Sequence, residues 1–177
     1  MNICIFCSAS DVDEKYTDAA RELATLIARG GHTLVWGGSN KGTMKVIADT
    51  AQAAGGKIIG ITMELLRASA RQNADEMLVM KNLGERKAKL LERSDAIVVL
   101  PGGLGTLDEI TETMELKKHN VHNKAIVFLN TDGFYDGFKL QLERMNKEGF
   151  LPRALSEILF FADTPQDAMR YIEAYGN

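Results

Sequence analysis

The nine residues Pro101-Gly102-Gly103-Leu104-Gly105-Thr106-Leu107-Asp108-Glu109 put a glycine loop and two carboxylates in one short stretch. An apolar run over 96–100 leads in and a helical pattern leads out, so the stretch is a strand-to-helix turn. Backbone amides at a helix start, reinforced by the helix dipole, favour an anion. Glycine lets the backbone approach that anion closely. Two phosphate-loop patterns can be compared with the chain. Gly37 to Gly42 fits G-x-x-x-x-G, but Thr43-Met44 stand where a phosphate lysine and a hydroxyl belong. Gly103-Leu104-Gly105 begins a dinucleotide fingerprint, but Asp108 occupies its third glycine position. The loop therefore suits one compact phosphate, as in a mononucleotide, with Gly102, Gly103, Leu104, Gly105 and Thr106 as its contacts.

The acids have two readings. Thr106-Leu107-Asp108-Glu109 matches a T-x-x-E capping box, in which the glutamate bonds back to the threonine amide. Asp108, Glu112 and Glu115 form a stripe expected to face solvent, opposite Leu107, Ile110 and Met114. The chemical reading of Glu109 draws on the helix before it. There Lys87 falls on the apolar stripe of Leu83, Leu90 and Leu91, and Arg86 borders it. Cations in a first turn oppose the dipole. If strands 76–80 and 96–100 are neighbours, Arg86 and Glu109 face one another across a cleft. A carboxylate set beyond a ribose phosphate has a use. Breaking an N-glycosidic bond builds positive charge on the sugar, and a carboxylate stabilises it and activates water.

These residues need a scaffold that brings strand ends together. Short β-branched runs over 3–7, 32–36, 57–61, 76–80, 96–100, 125–129 and 158–161 alternate with helical patterns over 14–29, 43–54, 83–93, 106–118, 135–147 and 165–175. That alternation predicts an α/β fold: a Rossmann-like, doubly wound parallel sheet of about seven strands with helices on both faces. Residues 66–74 are expected to form a loop or short helix. In such sheets ligands bind at the carboxyl ends of the strands. This adds the loops Ser8-Ala9-Ser10 and Gly37-Gly38-Ser39, and with them Ser10 and Gly38 as candidate phosphate contacts.

The 177 residues point to a single nucleotide-binding domain over 1–177. A net charge of −3 without a basic stripe argues against nucleic acid. No apolar run reaches membrane-spanning length, and the start of the chain reads as a strand, so a cytoplasmic location is expected. Cys4 and Cys7, three apart, should point to opposite faces of a strand, as buried core thiols. His32, His119 and His122 lack metal-ligand spacing, so no metal and no cofactor are expected. Trp36 reads as packing.

The stretch resembles the signature P-G-G-x-G-T-x-x-E of the LONELY GUY family, which Pro101, Gly102, Gly103, Gly105, Thr106 and Glu109 match, with the family's upstream E-R-K at Glu85-Arg86-Lys87. The resemblance implies hydrolysis of nucleoside 5′-monophosphates, cytokinin riboside 5′-monophosphate or AMP, to free base and ribose 5-phosphate by a metal-free homodimer. It implies Arg86 and Glu109 as the catalytic pair, and Lys87 with the 102–106 loop as substrate contacts. Leu83-Gly84 stands where the family has Met-His, and Ser39 where it has a third glycine. A nucleotide or molybdenum-cofactor carrier using the same loop without turnover is the alternative. An amino-acid decarboxylase, the family's older label, would need pyridoxal phosphate on a lysine.

Overall fold

A computed structural model describes residues 1–175 of the chain. Seven parallel strands form one sheet: β1 (Asn2–Phe6), β2 (Thr33–Trp36), β3 (Lys57–Met63), β4 (Glu76–Met80), β5 (Ala96–Val99), β6 (Ala125–Leu129) and β7 (Phe160–Ala162). Their spatial order is β4-β3-β2-β1-β5-β6-β7. The chain winds outward from β1 to β4, then restarts on the other side of β1 with β5. The crevice between β1 and β5, in register from Ile3↔Ala96 to Phe6↔Val99, is the topological switch point.

The helices are α1 (Glu14–Arg29), α2 (Gly42–Ala53), α3 (Leu83–Glu92), α4 (Leu104–Lys118), α5 (Asp136–Lys147), a single turn α6 (Leu155–Ile158) and α7 (Pro165–Tyr175). Buried side chains of α1, α2 and α7 pack on one sheet face with Ile3, Ile5, Leu34 and Trp36. Those of α3, α4 and α5 pack on the other face with Cys4, Ile97, Val99 and Phe128. The two free thiols fall on opposite faces, as a three-residue spacing in a strand requires. Trp36 is buried, its indole N–H donating to the Ser39 carbonyl at 3.3 Å.

Two expectations need correction. The strands carrying the site are not neighbours: β4 is an edge strand, with β3, β2 and β1 between it and β5. The last strand is also later than its apolar run suggests. Ile158 closes the α6 turn, and β7 spans Phe160–Ala162. Residues 64–69 form a 3₁₀ helix leading into the expected 66–74 loop. No helix among the described residues is long and apolar enough to cross a membrane.

Candidate functional site

Glu109 and Arg86 meet. Their Oε1 and Nη1 atoms lie 2.6 Å apart, and both side chains are more than nine-tenths buried. The meeting does not come from adjacent strands. Helix α3 runs from edge strand β4 back across the sheet, which carries Arg86 over the ends of β3 and β2. There its Nε donates to the Ile61 carbonyl at 2.9 Å, and its Nη2 to the Gly37 carbonyl at 3.4 Å. The guanidinium thus spends three donors on three elements, fixing its plane. A Cβ on Gly37 would collide with Arg86 Nη2, so this position of the second glycine loop must lack a side chain.

The start of α3 explains how Arg86 is aimed. Asn82 is the N-cap, its Oδ1 accepting from the Glu85 amide at 2.9 Å, while Glu85 Oε2 accepts from the Lys81 amide at 3.1 Å. A cap of this kind is the alternative reading of Thr106 and Glu109, and it is not the one found. The reason is register. Helix α4 starts at Leu104 with Gly103 as an N-cap that offers no side chain, so Thr106 already lies inside the helix. Glu109, freed from capping, turns toward Arg86.

Because no side chain caps α4, the amides at its start face outward: Gly103, Leu104 and Gly105 are exposed, and a Cβ on Gly103 or Gly105 would meet open space. Glu109 stands three residues past Thr106, about 4.5 Å of axial rise. Beside it, between α3 and α4, runs a groove of about 370 Å³ whose walls include Ala88, Leu91, Thr113, Leu116 and His122. So the carboxyl lies between an open helix start and a partly apolar groove. Burial raises the Glu109 pKa, and Arg86 opposes but does not cancel that rise. His122 donates from Nε2 to the Thr113 carbonyl at 3.0 Å and accepts from the Lys124 amide on Nδ1. Burial lowers its pKa.

The remaining expected contacts fall as follows. Lys87 lies at the groove rim, its ammonium on Asp108 and Glu112. The acids expected to face solvent alone are its partners. Ser10 is exposed on a loop that lies over the start of α2, where the Ser8 carbonyl accepts from the Met44 amide at 3.1 Å. Gly38 is buried against Met77 and Thr62, and its carbonyl accepts from the Arg71 amide at 2.9 Å. Its place is inside the loop rather than on the surface. Two participants escaped the sequence. Gly37 was visible only as part of a failed phosphate loop. Tyr135, whose hydroxyl donates to the Leu100 carbonyl at 2.7 Å, was assigned no role.

A family model described as possible lysine decarboxylase matches residues 44–172. The chain is 35% identical over 170 residues to a cytokinin riboside 5′-monophosphate phosphoribohydrolase of Mycobacterium tuberculosis, covering 95% of this chain and 91% of that protein. It is 31% identical over 176 residues to an Arabidopsis thaliana protein of the same name, covering 98% and 77%. Among solved structures, it is similar to the molybdenum cofactor binding protein of Rippkaea orientalis, with a TM-score of 0.77 at 21% identity, covering 99% of this chain and 97% of that one. The Moco carrier protein of Chlamydomonas reinhardtii gives a TM-score of 0.75 at 22% identity, covering 98% and 96%.

Proposed function

The chain belongs to the family of that model, the LONELY GUY family of the cytokinin riboside 5′-monophosphate phosphoribohydrolases, and from this premise we propose that it hydrolyses the N-glycosidic bond of nucleoside 5′-monophosphates. Cytokinin riboside 5′-monophosphate and AMP are the substrates in view. The observation that carries the reading is the buried Arg86–Glu109 pair beside an uncapped helix start. The amides of Gly103, Leu104, Gly105 and Thr106 hold the phosphate. The ribose then lies against Glu109, and the base reaches toward the groove. As the C1′–N bond breaks, its electron pair leaves with the base, which takes up a proton. Positive charge grows on the sugar, and the Glu109 carboxylate stabilises it. Water attacks C1′ and yields a proton to Glu109, which passes it on to the departed base, so that the carboxylate is restored and ribose 5-phosphate is formed. Arg86 keeps the carboxylate ionised and aimed. Lys87 adds positive charge at the rim, Ser10 borders the mouth, and Gly38 shapes the loop that supports Arg86.

The description of the family model raises pyridoxal-dependent decarboxylation, and neither the lysines that line the groove, Lys87 and Lys124, nor the buried Lys117 offers a free amine for it. Such chemistry needs an amine free to condense with the cofactor. Lys87 is held protonated by Glu112 and Asp108. Lys117 is fully buried, donating to the Lys124 carbonyl and the Tyr175 hydroxyl, both at 2.8 Å. Lys124 donates to the Leu91 carbonyl. The molybdenum cofactor binding and carrier proteins, at 21–22% identity, share the fold, and fold alone assigns no ligand.

The family resemblance extends the proposal to one nucleotide-binding unit over the whole chain, working as a cytoplasmic homodimer. The test is a base-release assay across nucleoside 5′-monophosphates and their nucleosides. Release from a monophosphate, abolished in Glu109→Gln, supports the reading. No release from any nucleotide rejects it.

A further inference from the structure

The loop expected to grip phosphate has three glycines in four positions, 102 to 105, and little stiffness of its own. Something outside it must set its shape. Tyr135, six residues past the end of β6 and just before α5, is 2% exposed, and its side chain reaches the β5–α4 turn. Its hydroxyl donates to the Leu100 carbonyl at 2.7 Å. The Gly102 amide in turn faces the Tyr135 hydroxyl oxygen. These contacts straddle Pro101, which has no amide to offer, so they take the polar handles on either side of it. The Thr106 side chain also packs on Gly102, so closely that a Cβ there would collide with it. The tyrosine is itself locked. Its ring meets Phe128 and Phe134 edge-on at 5.0 and 4.9 Å, and its amide donates to Asn130 Oδ1 at 2.7 Å.

We propose that Tyr135 is a positioning residue for substrate binding: its hydroxyl, held between Leu100 and Gly102, sets the angle at which the amides of Gly103 to Thr106 meet the 5′-phosphate. This rests on the phosphoribohydrolase reading for its substrate and on the loop alone for its anion. Tyr135 touches neither the reacting atoms nor the Arg86–Glu109 pair. A grip on the phosphate is felt equally in the ground and transition states, so loosening it raises KM and spares kcat.

Tyr135→Phe keeps the ring and removes only the hydroxyl. Expected is a KM for a nucleoside 5′-monophosphate raised about tenfold, the scale of one lost hydrogen bond, with kcat within about threefold. The Kd for ribose 5-phosphate, measured by calorimetry, should rise in parallel. A Tyr135→Phe protein with unchanged KM and unchanged ribose 5-phosphate affinity overturns the proposal. So does one that loses only melting temperature or active fraction, which is what a purely structural tyrosine would give. The calorimetric arm needs no turnover. If the wild type binds ribose 5-phosphate but frees no base, the hydrolase reading falls, and the tyrosine is still judged by affinity. If the wild type binds no ribose 5-phosphate, the proposal falls with the phosphate loop.

Discussion

Glu109 is subject to two opposed forces. Burial disfavours its charge, Arg86 favours it, and the balance leaves its pKa above that of an ordinary glutamate. The proposed chemistry needs the carboxylate, so protonation must stop it. Since the folded-state pKa is raised, the acid limb of kcat/KM should lie above the pH at which a free glutamate titrates. Arg86→Ala, by removing the cation, should move the limb in the residual activity higher still. A limb at or below the ordinary glutamate value would rule out Glu109 as the group that titrates. Glu109→Gln should cost roughly 10²–10⁴-fold in kcat. It should also lower the melting temperature, because the amide oxygen still accepts from Arg86 but the buried guanidinium loses its counter-charge. Circular dichroism at the assay temperature should still show a folded protein; loss of that signal would make the lost activity a folding effect. At this scale the sequence was half legible. Glu109 stood out beside the glycines, yet its pattern also matched a cap. Only the start of α4 at Leu104 separates the two readings, and helix starts are blurred in sequence by a residue or two. Asn82 and Glu85, the actual cap, lay hidden in a segment noticed for its cations.

The elements place the pair by a route that pattern alone does not disclose. Periodicity marked the strands and helices, because a sheet covered on both faces writes continuous apolar runs. It did not fix which strands touch, and β4 turned out to be at the edge. What joins the pair is α3 crossing to the ends of β3 and β2, and the fit of Arg86 against Gly37. Gly37→Ala should therefore push the guanidinium off Glu109. Expected is a protein with near-wild-type circular dichroism and at least a tenfold loss of base release, as misplacement of about 1 Å can cause. Unchanged activity would mean that Arg86 need not sit where it does. Asn82→Ala removes the cap that aims Arg86, and should cost about 0.5–2 kcal/mol in denaturant unfolding. A cost near zero would deny the cap its role.

At the scale of the molecule, rigidity and function are segregated. Strands β1 and β5 are paired on both sides and lie between two buried clusters. Strand β4 is paired only with β3, and all five of its residues are partly exposed. The Arg86–Glu109 pair and the open start of α4 lie at the carboxyl ends of the strands, near the β1–β5 switch point, where the reversal of strand order leaves a crevice. Amide hydrogen exchange should show this division. Amides of β1 and β5 should exchange slowest, on the scale of global unfolding, and those of β4 and residues 64–69 by local opening. Adding ribose 5-phosphate should then slow exchange at Gly103, Leu104, Gly105 and Thr106, whose amides would be occupied by the phosphate. The central strands, already limited by global unfolding, should gain only the uniform stabilisation that any ligand of the folded state confers. Protection centred elsewhere, on the start of α2 or the 64–69 segment, would move the anion to a different helix and detach it from Glu109.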